Sequence, residues 1–357
     1  SRGLGDVYKR QVISIFVITA IFALLENKIQ KKYVVIVALS LVTVMIFMAG
    51  LREVGVDYDS ENYEFAYKNY ETAEGVDASY IIISSILNVF TDNVHLLFML
   101  YAIAGVLLKF HAIKKMSNSL IIPLMIYLCY YFEMHECMQI RSGILAGFYL
   151  MSIPYIAEKK RKWALLCLII GSFFHISGLI LLPILLLNNK EFTTRTKTFW
   201  CLVIPASYLI YFAGLSVLMS LDIPYIGNKL EIYQRMNDTG HSDLGVNVFS
   251  PLLLMNIMMF YYLMYFSRTV SEENKYFPLL IKCYALGISS YMICSFLPVL
   301  ASRVNILYCV VSILLMPNVA YTIKPRWASV LGLIFFCFIY LNYGLKCFNG
   351  FAFLWEV

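Results

Sequence analysis

Charge is what this sequence has least of. Only 14% of its 357 residues are charged, 22 acidic against 28 basic, while 61% are hydrophobic and the mean hydropathy is +0.73. A soluble domain carries roughly 25% charged and about 45–50% apolar residues. So few charges cannot cover a water-facing surface on a chain of this length. A cytosolic Rossmann or TIM-barrel enzyme, a secreted disulfide scaffold and a disordered tail are therefore excluded. The surface faces lipid, and the chain reads as an all-α polytopic membrane protein.

Paired cysteines are missing as well. The nine Cys are spread singly, none forms a C-x-x-C pair, and nearly all lie within apolar runs, where Cys is an ordinary small hydrophobe. There is no H-E-x-x-H, P-loop, G-x-S-x-G or EF-hand pattern, and the few His are dispersed, so neither a metal nor a cofactor is expected. Asp59-Ser60-Glu61 is not the D-x-D of a nucleotide-sugar transferase. The formal charge of +6 does not point to nucleic acid, because Lys and Arg fall between apolar runs rather than on one face. No solenoid or inverted repeat is visible, so 12–357 reads as one membrane domain. Ser1–Gln11 is polar, matches neither the apolar chain nor a signal peptide, and is expected to be a non-native or disordered remnant outside the fold.

A bilayer core about 30 Å thick needs about 20 apolar residues per helix. Spans are predicted at 12–27, 33–50, 95–113, 119–133, 137–157, 198–220, 248–267, 276–297, 303–323 and 327–346. Cytoplasmic loops retain Lys and Arg. Lys28, Lys31 and Lys32, then Lys109, Lys114 and Lys115, then Lys159–Lys162, then Lys324 and Arg326 are accordingly placed inside. Residues 51–78 hold eight acids against Arg52 and Lys68 and are threaded with Tyr, so the loop 51–94 lies outside, as does 221–247. The chain must then cross an odd number of times between 78 and Lys114. Ser79–Phe90 is predicted to lie at the outer surface, leaving 95–113 to make the crossing. The apolar block 163–187 has basic residues at both ends. These favour two half-helices that break near Gly171–Gly178, with His175 at the break, and return inside; a single straight span is the alternative.

Ionisable groups at membrane depth cost about 2.5–3.5 kcal/mol each on insertion scales and mark candidate sites. Arg52 ends the second span in Gly50-Leu51-Arg52-Glu53-Val54-Gly55-Val56-Asp57-Tyr58, where it either grips an anion in a planar, bidentate manner or snorkels to the interface. Arg141, in Gln139-Ile140-Arg141-Ser142-Gly143-Ile144, would share a helical face with Cys137, Ile144 and Leu145 and point into the bundle or an outer cavity; a structural pair with Glu133 or Glu136 is the alternative. His175 lies between Ser172 and Ser177, either hydrogen-bonded in packing or available as a base. Arg303 opens the span 303–323, and Arg235 in the loop 221–247 is a weaker fifth candidate. Several Arg aimed at one outer cavity make an anion-binding constellation.

These motifs, in this order, resemble the EpsG family of exopolysaccharide-biosynthesis membrane proteins, grouped with Wzy-type polysaccharide polymerases. The matching pieces are Gly50-Leu-Arg52 with Val54-Gly55-x-Asp57-Tyr58 and Tyr63, then Ile140-Arg141-Ser142-Gly143-Ile144, Phe173-Phe174-His175-x-Ser177-Gly178, and Arg303. Ser142 stands where Gln is more usual. The resemblance covers nearly the whole chain from about residue 12. It implies a metal-independent, GT-C-like glycosyltransferase bundle of about 10–12 transmembrane helices in the bacterial cytoplasmic membrane. Such an enzyme polymerises undecaprenyl-diphosphate-linked oligosaccharide units on the outer face, for exopolysaccharide or capsule. By this resemblance Arg141 and Arg303 hold the diphosphate with Arg52 assisting, and His175 or Asp57 is the base. Tyr58, Tyr63, Gln139 and Arg235 complete the expected substrate-binding set. Membrane lipid, a chain-length regulator and a flippase of the same pathway are the implied partners. The rivals are an O-antigen-ligase-like transferase, a non-enzymatic glycan flippase or exporter, and a membrane acyltransferase. Nearly charge-free inner halves of the spans argue against the exporter.

Overall fold

The computed structural model describes residues 2–72, 77–220, 246–295 and 297–347. Most of the loop 221–247, Arg235 included, lies outside the described residues. In chain order the helices are α1 (Arg2–Leu25), α2 (Lys31–Gly50), α3 (Ser60–Lys68), α4 (Ala78–Asn88), α5 (His95–Met116), α6 (Ile121–Ile126), α7 (Ile140–Ala157), α8 (Arg161–Phe174), α9 (Thr194–Ser220), α10 (Pro251–Tyr265), α11 (Ser267–Glu273), α12 (Phe277–Ile293), α13 (Pro298–Cys309), α14 (Ser312–Leu315) and α15 (Arg326–Gly344). Of the 3₁₀ segments, the two longest are Ile176–Leu186 after α8 and Met316–Tyr321 after α14; short ones, Glu26–Lys28 and Leu345–Cys347, follow α1 and α15. Among the described residues six helical stretches are long and apolar enough to cross a membrane: Gly5–Lys28, Lys31–Gly50, His95–Met116, Ile140–Ala157, Pro298–Tyr321 and Arg326–Gly344. The chain is an all-α polytopic membrane protein.

The turns sort to two ends of the bundle. At one end the Glu26 carboxylate accepts from the backbone N–H of Leu120 (2.8 Å) and from Ser119 Oγ (2.5 Å). Here too Asn118 donates to Glu273 O (2.8 Å), Asn189 to Lys275 O (2.7 Å) and Lys282 Nζ to Asn188 O (2.7 Å). The basic clusters adjoin these turns. At the other end α3 and α4 fill the connection between α2 and α5. Tyr80 donates to Tyr63 O (2.7 Å) and Tyr67 to Thr91 O (2.7 Å). The surface helix expected over Ser79–Phe90 is α4, and α5 makes the expected crossing.

The block 163–187 folds as a hairpin. α8 rises from the basic end, the chain breaks at His175 (φ −153°, ψ 122°), and the 3₁₀ segment returns to Asn188 and Asn189. Small residues let both arms lie against α7. A Cβ at Gly171 or at Gly178 would come within 2.8 or 2.9 Å of the same Leu145 Cδ1.

Four expectations are corrected. The first helix begins at Arg2 rather than near residue 12, and Tyr8 is buried with its hydroxyl donating to Met48 O (2.8 Å). Residues 119–133 and 137–157 are not two plain spans. α6 continues through two π-helical stretches, Tyr127–Tyr131 and Glu133–Met138, and the chain then breaks at Gln139 (φ −106°, ψ 58°) before α7. This break rotates Cys137 away from Arg141, so the two do not share a face. The widened turns turn Glu133, His135 and Glu136 into the protein, all 1% exposed or less. Lys109 is not part of a basic loop. It is fully buried within α5, paired with Glu136 at 2.6 Å and donating to Gly143 O at 2.7 Å. The helix expected at 303–323 starts at Pro298, since the fixed φ of proline suits a first helical turn. Arg303 therefore lies in its second turn.

Candidate active site

The residues singled out from the sequence divide into two groups that differ in access to water. Arg52 and Asp57 form the first. Arg52 Nε lies 2.9 Å from Asp57 Oδ2, and neither side chain has any exposed surface. The rest of the guanidinium is occupied. Nη1 donates to Ala49 O (2.6 Å), Nη2 to Cys137 O (2.8 Å), and Cζ sits 3.9 Å from the Phe98 ring centroid. Asp57 Oδ1 accepts from the backbone N–H of Asp59 (3.0 Å) and Ser60 (2.8 Å), which starts α3. Gly55 makes the tight turn before it at φ 87°, a conformation few residues other than glycine adopt. The pair ties the end of α2 to the π segment before α7 and to α3, and leaves no edge for an anion.

The second group gathers around Asp77, an acid that precedes the first turn of α4. Its Oδ2 accepts from Arg141 Nη1 at 2.6 Å and lies 3.9 Å from His175 Nδ1. Its Oδ1 accepts from the backbone N–H of Ile176 at 3.2 Å. One carboxylate thus joins the start of α4, the first turn of α7 and the apex of the hairpin. The side chains of Arg141, Asp77 and His175 retain 20%, 15% and 17% exposure, so water and solutes reach them. Arg141 Cζ stands 6.0 Å from the Tyr63 ring centroid and 5.9 Å from that of Tyr80, and the two rings stack at 5.9 Å. Burial pushes the Tyr63 hydroxyl up to about 12, so it remains a neutral donor.

Arg303 is exposed on α13, and its charge acts on both Asp59 and His175. Asp59 is half-buried beside this cationic field. Burial raises its pKa above the ordinary aspartate value, the nearby Asp57 adds to the rise, and Arg303, Arg141 and Arg52 oppose it. Tyr58 is 59% exposed, and Gln139 is half-buried at the break before α7. Arg141, His175 and Tyr63 are therefore neighbours, with Arg303 near enough for its charge to act on the group, whereas Arg52 and Asp57 form a sealed brace. Arg141 pairs with neither Glu133 nor Glu136. Glu136 is taken by Lys109 and by Tyr127 Oη (2.5 Å).

Asp77 and Asp59 were not chosen from the sequence. Asp77 stood among eight acids of one loop; its signal was an acid directly before an apolar helix start, a capping position. Chemically, the cluster offers guanidinium donors for an anion and an imidazole beside a carboxylate, with aromatic walls.

No curated protein and no solved structure matches the chain. The EpsG family model, in contrast, matches residues 35–354, from α2 to beyond α15, taking in Arg52, Arg141, His175 and Arg303. The chain belongs to the EpsG family.

Proposed function

We propose that this protein is a polysaccharide polymerase that joins oligosaccharide repeat units carried on undecaprenyl diphosphate, with its site on the outer face of the bacterial cytoplasmic membrane. Family membership supports exopolysaccharide biosynthesis, and one observation carries the chemistry. Arg141, Asp77 and His175 meet within reach of Arg303's charge, at the end of the bundle opposite the basic turns. Cytoplasmic turns are the ones that keep Lys and Arg, so the cluster faces outward.

In this reaction a hydroxyl of the acceptor sugar attacks the anomeric carbon of the donor chain. The new C–O bond forms as the bond from carbon to the diphosphate oxygen breaks, and the lipid diphosphate leaves with the electron pair. Arg141 and Arg303 stabilise the charge that develops on it, which is worth most where donors are fixed before reaction. Asp77 holds Arg141 in position and sets a negative charge beside the His175 ring, whose Nδ1 accepts from the Ser177 backbone N–H at 3.4 Å. His175 takes the proton from the acceptor hydroxyl. Asp57 is set aside as base because both its oxygens are engaged in the sealed brace. The guanidinium groups supply the positive charge, and no metal is invoked. Tyr63 and Tyr80 back the Arg141 guanidinium, and exposed Tyr58 is available to a sugar face. A flippase that supplies the donor and a regulator of chain length are the expected partners.

Purified protein in detergent, given a lipid-diphosphate-linked oligosaccharide, should produce a ladder of multiples by gel or mass. The ladder should vanish in Arg141→Ala and His175→Ala. Absence of a ladder with folded wild-type protein and intact substrate would favour a ligase-like transferase or an exporter, separated by an assay of substrate translocation in liposomes.

A further inference from the structure

Directly beneath the Arg141 cluster a cleft of about 480 Å³ opens between α5, α7 and α8. Its floor is one stripe of α7, where Ile144, Phe148 and Met151 follow Arg141 at helical spacing. Ala104, Leu107 and Leu108 of α5 form one wall with His111 at its far end, and Phe174 of α8 the top of the other. The stripe from Ile144 to Met151 runs ~10 Å down the helix axis. Phe174 immediately precedes His175, stacks on Phe148 at 6.3 Å and meets Tyr101 edge-on at 6.4 Å. The apolar cleft and the polar cluster therefore adjoin along α7 and at Phe174, with Arg141 one turn before Ile144 on the same helix. Leu107 remains 46% exposed, so the cleft opens sideways to the lipid.

We infer that this cleft seats the isoprenoid units nearest the diphosphate of a lipid-linked donor, entering laterally from the membrane while Arg141 holds the head group. The inference rests on the proposed function for its anion. The occupant follows from the order of chemistry along one helix face, cation first and then two turns of apolar side chains. A free sugar phosphate uses only the first part, and an uncharged acyl chain only the second. A second apolar cleft of about 390 Å³, between α10 and α15 and lined by Met258, Tyr262, Gly332 and Phe336, serves as an internal control. Gly332 has open space where a Cβ would point, so a side chain can start there without a clash.

The test is calorimetric titration of the detergent-solubilised full chain with inorganic diphosphate and with geranyl diphosphate. Geranyl diphosphate should bind roughly tenfold or more tightly than inorganic diphosphate, the gain coming from apolar surface removed from water. Ala104→Trp, which fills the cleft, should abolish that gain and leave inorganic diphosphate unchanged; Gly332→Trp should alter neither. If Ala104→Trp fails to fold, Leu107→Trp at the open edge of the cleft carries the same expectation. Equal binding of the two ligands to the wild type would overturn the cleft and leave the Arg141 anion site standing. Loss of the gain in Gly332→Trp alone would move the tail to the other cleft and overturn the inference. Binding of neither ligand would remove the anion site, and the proposed function with it.

Discussion

Asp77 Oδ2 sits 2.6 Å from Arg141 Nη1 and 3.9 Å from His175 Nδ1, joining two side chains 34 positions apart through an acid that neither motif contains. The carboxylate neutralises part of the charge of Arg141 while fixing its direction. It is therefore the residue whose removal separates positioning from folding. Asp77→Asn keeps size and part of the hydrogen bonding. It should lower polymer formation by roughly 10²–10³-fold, comparable to losing one preorganised donor, with little change in thermal stability in detergent. Loss of stability equal to loss of activity would make Asp77 merely structural.

Arg52 and Asp57 should behave in the opposite manner. Leaving one partner of a buried ion pair without the other costs about 3–5 kcal/mol. Asp57→Asn and Arg52→Ala should therefore each depress the melting temperature and the yield of folded protein. A variant lacking both charges should recover part of the loss, a coupling that a double-mutant cycle measures. A stable, inactive Asp57→Asn would return Asp57 to the catalytic group.

Acid should tighten the anion site. Burial and the neighbouring Asp57 raise Asp59, so it gains its proton at a higher pH than a free aspartate. Once neutral, Asp59 no longer opposes Arg303 and Arg141. Diphosphate affinity should thus rise as pH falls through this raised range, and Asp59→Asn should bind several-fold more tightly at neutral pH with a flatter profile. The difference between wild type and Asp59→Asn, titrated in parallel, isolates the carboxylate. Identical pH profiles would exclude Asp59 from the site.

The hairpin makes a prediction about sides. On a background without the native cysteines, Lys160→Cys and Lys190→Cys should react with an impermeant thiol reagent from the same side of the membrane, and Glu71→Cys from the opposite side. A straight span through 163–187 would place Lys160 and Lys190 on opposite sides.

Much of this architecture was legible in the sequence because lipid imposes a simple code. Apolar runs gave most crossings, and basic residues at both ends of 163–187 gave the hairpin. The place of α4 in the connection between α2 and α5 followed from counting crossings. What stayed hidden were features where one polar group meets another across the bundle. The π-helical turns at Tyr127–Tyr131 and Glu133–Met138 leave no periodic signature, so Arg141 was put on a face with Cys137. Lys109 read as a loop cation because its partner, Glu136, lies 27 positions away. Arg52 and Asp57 looked like site residues for the same reason that they make a good brace: a buried cation and anion at a tight turn. Exposure alone told them from Arg141 and Asp77, and exposure is not written in a motif.

The Lys109–Glu136 pair also bears on how the chain is made. α5 leaves the ribosome first and carries a lysine whose entry into lipid alone costs about 2.5–3.5 kcal/mol. Its neutralising partner arrives only with the helix that follows. The two segments are therefore expected to leave the insertion machinery as a couple, with α5 held at the lateral gate until Glu136 emerges. Glu136→Leu would strand that lysine during biogenesis, before any question of catalysis arises.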